Sequence, residues 1–202
     1  MWAWVDVDGA AGVAQAVEHV RARGHRRIAF LGWPEGSGAG DDRCAGYTSA
    51  CARLGVTPLV FRSEDGIDHG QALATRMLAE PEPPTALVCV SDLVAIGALQ
   101  AVSERGLRPG HDIAVVGFDD TPSVALPGIG LTSVRQPIED VGRVAERLLV
   151  TALGGLDQPG DQSPERLLRP SLSIRSSTDP DSGPQRARDV QHVRRDDPSA
   201  AL

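Results

Sequence analysis

The chain has 202 residues, 41% of them hydrophobic, enough to bury a real core as one large domain or two small ones. Its formal net charge of -7, with every one of the 20 basic residues an arginine, argues against a free-standing nucleic-acid binder, because phosphate contacts need a concentrated basic surface. Cys44, Cys51 and Cys89 form no CxxC pair and leave one thiol over, which fits a reducing, cytoplasmic setting better than a disulfide scaffold. The opening MWAWVDVDG has no basic n-region and no apolar stretch of signal-peptide length, and no later run approaches a membrane span, so neither export nor membrane insertion is expected.

Taken in order, Trp2 to Val7 reads as a strand, and Asp8 with Gly9 ends it before a segment whose Val13, Ala16, Val17 and Val20 recur at helical spacing. Gly24 closes that helix, RRIAFLG (26–32) is a buried strand, and WPEGSGAGDD is a loop leading to a helix from Asp42 to Leu54 with Gly55 as its stop. The alternation continues: strand Pro58–Phe61, helix Asp68–Leu78, strand Thr85–Val90, helix Leu93–Glu104 capped by Ser91 or Asp92, and strand Ile113–Phe118. A loop from Thr121 to Gly130 precedes the short strand LTSVRQ, the amphipathic helix Ile138–Leu153, a loop Gly154–Pro164 and a last strand Glu165–Ile174. Strands alternating with helices over this length predict an α/β fold with a doubly wound parallel sheet. From Ser176 to Leu202 the composition turns to Ser, Asp, Pro and Arg, and a disordered tail is expected.

The stretch IAVVGFDD, Ile113 to Asp120, puts Phe118, Asp119 and Asp120 at the carboxyl end of a buried strand, where open α/β sheets bind their ligands. The plainer reading is that the two aspartates open a turn. Arg43, at the start of a helix on that same edge, offers a forked donor to a hydroxyl, carboxylate or phosphate, or else pairs with Asp41 or Asp42. Ser91 and Asp92 are helix caps on the same edge, with any ligand role additional, and Gln136 either reaches the cleft or satisfies loop backbone.

Other motifs give no chemistry. The glycines of GSGAG do not match GxGxxG, and Asp41 and Asp42 stand where a pyrophosphate would sit. Ser37 lacks the spacing of a nucleophile elbow, since position 35 is Glu. His19, His25, His69, His111 and His192 show no metal-ligand spacing, and the three cysteines read as core thiols. No catalytic residue, metal or cofactor is expected.

Taken together, the segments VDVDGAAGVAQAVEHVRARGHRRIAFLG, DRCAGYTSA, PTALVCVSDLVAIGALQAVSERGLRPGHDIAVVGFDD and LTSVRQPIEDVGRVAERLL resemble the effector-binding core of the lactose-repressor (LacI/GalR) family of transcription regulators, from about Val5 to Ile174. The resemblance implies a type I periplasmic-binding-protein-like receptor. Two α/β subdomains would hold a small effector, often a sugar or purine, and control a DNA-binding headpiece; the receptor is no enzyme and forms a homodimer. By position it assigns effector contacts to Arg43, Ser91, Asp119 and Gln136, with Asp119 accepting from ligand hydroxyls, Arg43 donating, and Asp92 and Phe118 behind them. The chain departs from the family in having Ser91 where an amide or charged group is common, and in lacking an aromatic between Asp65 and Ile67. Nothing before Trp4 corresponds to the family's headpiece, hinge helix or first βα units. Residues 1–175 are therefore expected to be mainly the C-terminal subdomain, plus the helix 138–153 of an otherwise missing N-terminal one, and that helix's apolar stripe should lack cover. A solute-binding module serving a transporter is the alternative, and a nucleotide-dependent enzyme on the same sheet a weaker one.

Overall fold

A computed structural model describes residues 3–153 and 165–179; the expected loop Gly154–Pro164 and most of the expected tail lie outside the described residues. The elements in chain order are β1 (Trp4–Val7), α1 (Gly9–Ala22), β2 (Ile28–Gly32), α2 (Ala39–Leu54), β3 (Leu59–Arg62), α3 (Ile67–Met77), β4 (Ala86–Cys89), α4 (Asp92–Glu104) and β5 (Ala114–Asp119). A 3₁₀ turn (Pro122–Ala125), β6 (Thr132–Arg135), α5 (Ile138–Ala152), β7 (Glu165–Leu168) and β8 (Ser171–Ser173) complete them.

The main sheet has the order β3-β2-β4-β5-β6-β8. Its strands run parallel except β8, which pairs antiparallel with β6. Strands β2 and β4 are buried along their whole length, as apolar runs between two helical layers must be. The right-handed crossover rule puts the helix of the leftward step, β2 to β3, on the face opposite the helices of the rightward steps. Accordingly α2 packs with α1, and α3 with α4.

Both helix pairs approach closely because glycine sits at each crossing. A Cβ added to Gly46 of α2 would strike the backbone of Ala10, and one on Gly97 of α4 would strike the carbonyl oxygen of Ile67. Gly70 of α3 faces the backbone of Val94 in the same way.

Two expectations about the strands need correction. The described part of the strand expected over 2–7, Trp4–Val7, does not join the main sheet: β1 pairs in parallel with β7 as a separate two-stranded sheet, and its exposure alternates rather than being uniformly low. The single strand expected over 165–174 is two strands, broken at Arg169 and Pro170, where proline has no N–H to continue a ladder. The first half goes to β1 and the second to β6. Helix α2 also begins earlier than expected, at Ala39, which places Asp41 and Asp42 in its first turn, where the helix dipole favours them.

Helix α5 packs on β1 and β7, burying Val144 but leaving Ile138 61% and Leu149 60% exposed, so its stripe is covered only in part. Among the described residues, no helix is long and apolar enough to cross a membrane.

The start of the expected tail is built into the fold. Ser177 and Thr178 are buried, and the Ser177 hydroxyl donates to the Val115 carbonyl (2.6 Å) while accepting from the Thr132 N–H (2.8 Å). The Ser177 backbone bridges the same strands, accepting from Val115 N–H and donating to Gly130 O. The folded part therefore runs past the boundary expected at Ser176, to Asp179 among the described residues.

Ser177→Ala leaves the Thr132 N–H without its acceptor and is expected to cost about 1–3 kcal/mol in urea unfolding. Gly97→Ala is expected to cost about 1–3 kcal/mol by overpacking α3 against α4, read as a lower unfolding midpoint at unchanged slope.

Candidate functional site

The strand order reverses between β2 and β4, and the crevice beyond the carboxyl ends of strands at such a switch point is where open sheets take ligands. The residues that follow those two strands are Trp33 on one side and Val90 and Ser91 on the other. Arg43, reaching in from the first half of α2, connects the two.

Arg43 is 8% exposed. Its Nη1 donates to the carbonyl of Val90 at 2.6 Å, its guanidinium lies 3.7 Å from the centroid of the Phe118 ring, and Trp33 is 5.2 Å away on the same group. Nη2 stands 3.9 Å from Asp119 Oδ1. The Arg43 Nε is buried with no hydrogen-bond partner among the described residues. Burial pulls the guanidinium below its ordinary pKa, and Asp119, Asp6 and Asp65 oppose that shift.

Asp119 ends β5 with φ at 114°, and Asp120 follows with φ at 53°. Non-glycine residues rarely hold such angles in succession, and the surrounding bonds impose them. Asp119 Oδ1 accepts from the Gln136 side-chain amide at 2.6 Å, so Arg43, Asp119 and Gln136 form one string. Burial raises the Asp119 pKa above the carboxylate reference of 3.8, Arg43 lowers it, and Asp92 raises it further.

Asp120 is the anchor of the turn. Its side chain is 1% exposed and pairs with Arg135 (2.6 Å) and Arg175 (2.7 Å), while Ser173 donates to it at 2.8 Å. Burial alone would raise its pKa, but the hydrogen bonds from Arg175, Arg135 and Ser173 hold it below the usual value.

Asp92 and Ser91 are both buried. Asp92 accepts from the backbone and hydroxyl of Thr121 (2.8 and 3.0 Å) and from Ser133 Oγ (2.6 Å), latching the turn after β5 to α4. Gly117 makes room for it, since a Cβ there would meet Asp92 Oδ1. Burial raises the Asp92 pKa, and those hydrogen bonds oppose the rise. Ser91 caps α4 by accepting from Val94 N–H and donates to Asp65 Oδ1 at 2.6 Å.

Thus the structure bonds Gln136 to Asp119, sets Arg43 beside Asp119 at ion-pair distance, places Phe118 under Arg43, and turns Ser91 toward Asp65. A hollow of about 750 Å3 is lined by Asp119, Gln136, Arg135 and the start of α5. A second, of about 400 Å3, is lined by Trp33, Glu64 and Asp65, among others. Sequence reasoning missed Trp33, Asp65 and Asp6. Trp33 had a usable signal, an aromatic placed directly after the buried strand IAFLG; Asp65 and Asp6 had none. No group of three or more metal-ligating side chains occurs among the described residues.

Comparison with known proteins follows this geometry. The chain matches the family of periplasmic binding protein-like domains over residues 17–178. The HTH-type transcriptional regulator AglR of Rhizobium meliloti is 34% identical over 184 residues, 88% of this chain and 51% of that protein. The repressor CytR of Escherichia coli is 32% identical, over 86% of this chain and 51% of that protein. The chain therefore spans about half the length of the curated relatives it matches. Among solved structures, a LacI-family regulatory protein from Chloroflexus aggregans superposes with a TM-score of 0.81 at 43% identity, over 88% of this chain and 64% of that one. A complex of the regulator CelR with cellobiose superposes with a TM-score of 0.77 at 35% identity, over 87% of this chain and 54% of that one. With the doubly wound sheet, its switch point and these matches in hand, the chain belongs to the periplasmic binding protein-like domains, in the form that LacI-family transcriptional regulators use as their effector-binding region.

Proposed function

We propose that this chain is the ligand-sensing part of a LacI-type transcriptional regulator, and that Arg43, Asp119 and Gln136 contact a small, hydroxyl-rich effector. The observation that carries this reading is the string Gln136–Asp119–Arg43 at the switch point, with an unpartnered donor in Arg43 and a strained acceptor in Asp119. Asp119 accepts from ligand hydroxyls and Arg43 and Gln136 donate, the complementary set that a polyol requires. Ser91 acts through Asp65, and Asp92 and Phe118 support the floor without touching the ligand.

Control of DNA follows by linkage. An effector changes the affinity of a DNA-binding headpiece only through unequal affinity for two arrangements of the receptor. In this reading the sensor extends to Asp179, past the boundary at 175 that composition suggested, and the working form is a homodimer. The relatives are transcriptional regulators, and one of them is seen with cellobiose, which makes neutral saccharides the first probes.

Asp119→Ala is expected to abolish saccharide binding in calorimetric titration while leaving the circular dichroism spectrum unchanged; unchanged affinity removes Asp119 from the site. Acidification provides a second check. Because burial holds the folded Asp119 pKa above 3.8, the carboxylate is lost as pH falls through that raised value. Effector affinity should therefore weaken at a pH higher than an exposed aspartate would give, and Asp119→Asn should remove that dependence.

A further inference from the structure

The glycine loop between β2 and α2 matches neither a nucleotide-binding fingerprint nor a nucleophile elbow, yet it is closely built. Gly36 and Gly38 adopt φ of 83° and 62°, turning the chain straight back after Trp33. A Cβ on Gly40, in the first turn of α2, would strike Ser37 Oγ and lie 3.0 Å from the Trp33 ring, so glycine lets the helix lie close against the loop and the indole. Arg62 donates to the Trp33 carbonyl at 2.8 Å and stands 3.4 Å from Asp41, which in turn accepts from Gly36 N–H at 2.9 Å. The indole N–H donates to Asp65 Oδ1 at 3.0 Å, and Arg43 stacks on the ring. Loop, helix and β3 thus converge on one orientation of one side chain.

We infer that Trp33 is the aromatic wall of the effector site, taking the apolar face of an uncharged, ring-shaped polyol beside Asp65, and that this wall rejects phosphorylated forms of the same ligand. The inference rests on the reading that this edge of the sheet holds an effector.

Three observations carry it. First, Trp33 is only partly buried, and the 400 Å3 hollow opens on it at the switch point. An aromatic fixed this firmly at a ligand edge presents a rigid face for the C–H side of a sugar ring. The sequence shows no aromatic between Asp65 and Ile67; the ring comes from the end of β2 instead, and Asp65 holds it. Second, Trp33 and Ser91 both donate to Asp65 Oδ1, which fixes the carboxylate and leaves Oδ2 for a ligand hydroxyl. Third, the charge is one-sided. Glu35, Glu64 and Asp65 line the hollow, and the nearby cations are already engaged, Arg62 with Asp41 and Glu35, Arg43 with Val90, Phe118 and Asp119. A phosphate would meet carboxylates with no free guanidinium fork to receive it. Among the described residues, Arg43 Nε is a buried donor without a partner, on a side chain 9% exposed, and a lone N–H suits one hydroxyl better than a phosphate.

The test is by nuclear magnetic resonance on the full chain labelled with 15N. Its three tryptophans supply three indole N–H signals, and Trp33→Phe assigns one of them. The probes are glucose, cellobiose and glucose 6-phosphate, with saturation-transfer difference spectra to detect weak contact. Glucose or cellobiose is expected to move the Trp33 signal, with Trp33→Leu weakening binding about tenfold and Trp33→Phe by less than about threefold. Glucose 6-phosphate is expected to bind at least about tenfold more weakly than glucose. Saccharide contact with the Trp33 signal unmoved and Trp33→Leu unchanged in affinity overturns the inference while leaving the effector reading intact. Glucose 6-phosphate binding as well as glucose overturns the selectivity. Silence from both neutral saccharides overturns this inference and the saccharide reading of the site together.

Discussion

A guanidinium buried against an aromatic ring holds this edge of the sheet together. Arg43 is stacked on Phe118, bonded to the Val90 carbonyl just past β4 and set near Asp119, so one side chain from α2 ties together the ends of two neighbouring strands. A charge taken out of water is costly unless it is bonded, and here each contact also positions a group at the switch point. Lysine at this position would keep the charge but lose both the stack and the fork. The geometry of Asp119, Gln136 and Trp33 depends on that one group.

The fold delivers Arg43 to this place through close approaches made at glycine. Gly46 allows α2 to lie on α1, Gly40 allows its first turn to meet Trp33, and Gly9 lies close over the Arg43 stem. On the opposite face, Gly70 and Gly97 do the same for α3 and α4, which carry Ser91 and Asp92 at the amino end of α4. Asp92 then latches the β5 turn, and Asp120 ties it to β6 and β8 through Arg135, Ser173 and Arg175. The strained backbone at Asp119 and Asp120 is held from both sides, which is the condition under which such strain persists.

Much of this was legible in the residues. The apolar runs IAFLG and ALVC, ended by Gly or Ser, gave buried parallel strands, and VVGFDD gave the carboxyl edge with its acids. Arg43, Asp119 and Gln136 were readable as candidates because each falls at the end of an element on that edge. What was hidden is what depends on distant pairing. Nothing local distinguishes β1 from a main-sheet strand; its partner is β7, at the other end of the chain. Ser177 and Thr178 sit in a polar, proline-rich stretch that composition marks as tail, and only the gap between β5 and β6 shows why they are buried. The same limit applies to Ser91: its capping role is local and was read, whereas its bond to Asp65 crosses from α4 to the loop before α3.

We propose that an effector site is preformed at the carboxyl ends of β2, β4 and β5, with Arg43 at its floor. A crystal structure of the chain soaked with cellobiose tests it most directly. The account predicts a saccharide ring with hydroxyls on the Asp119 carboxylate and within reach of Arg43 and Gln136, the bonds inside that string otherwise unchanged. A saccharide bound elsewhere on the molecule, with the contacts of Arg43, Asp119 and Gln136 unchanged, would contradict it.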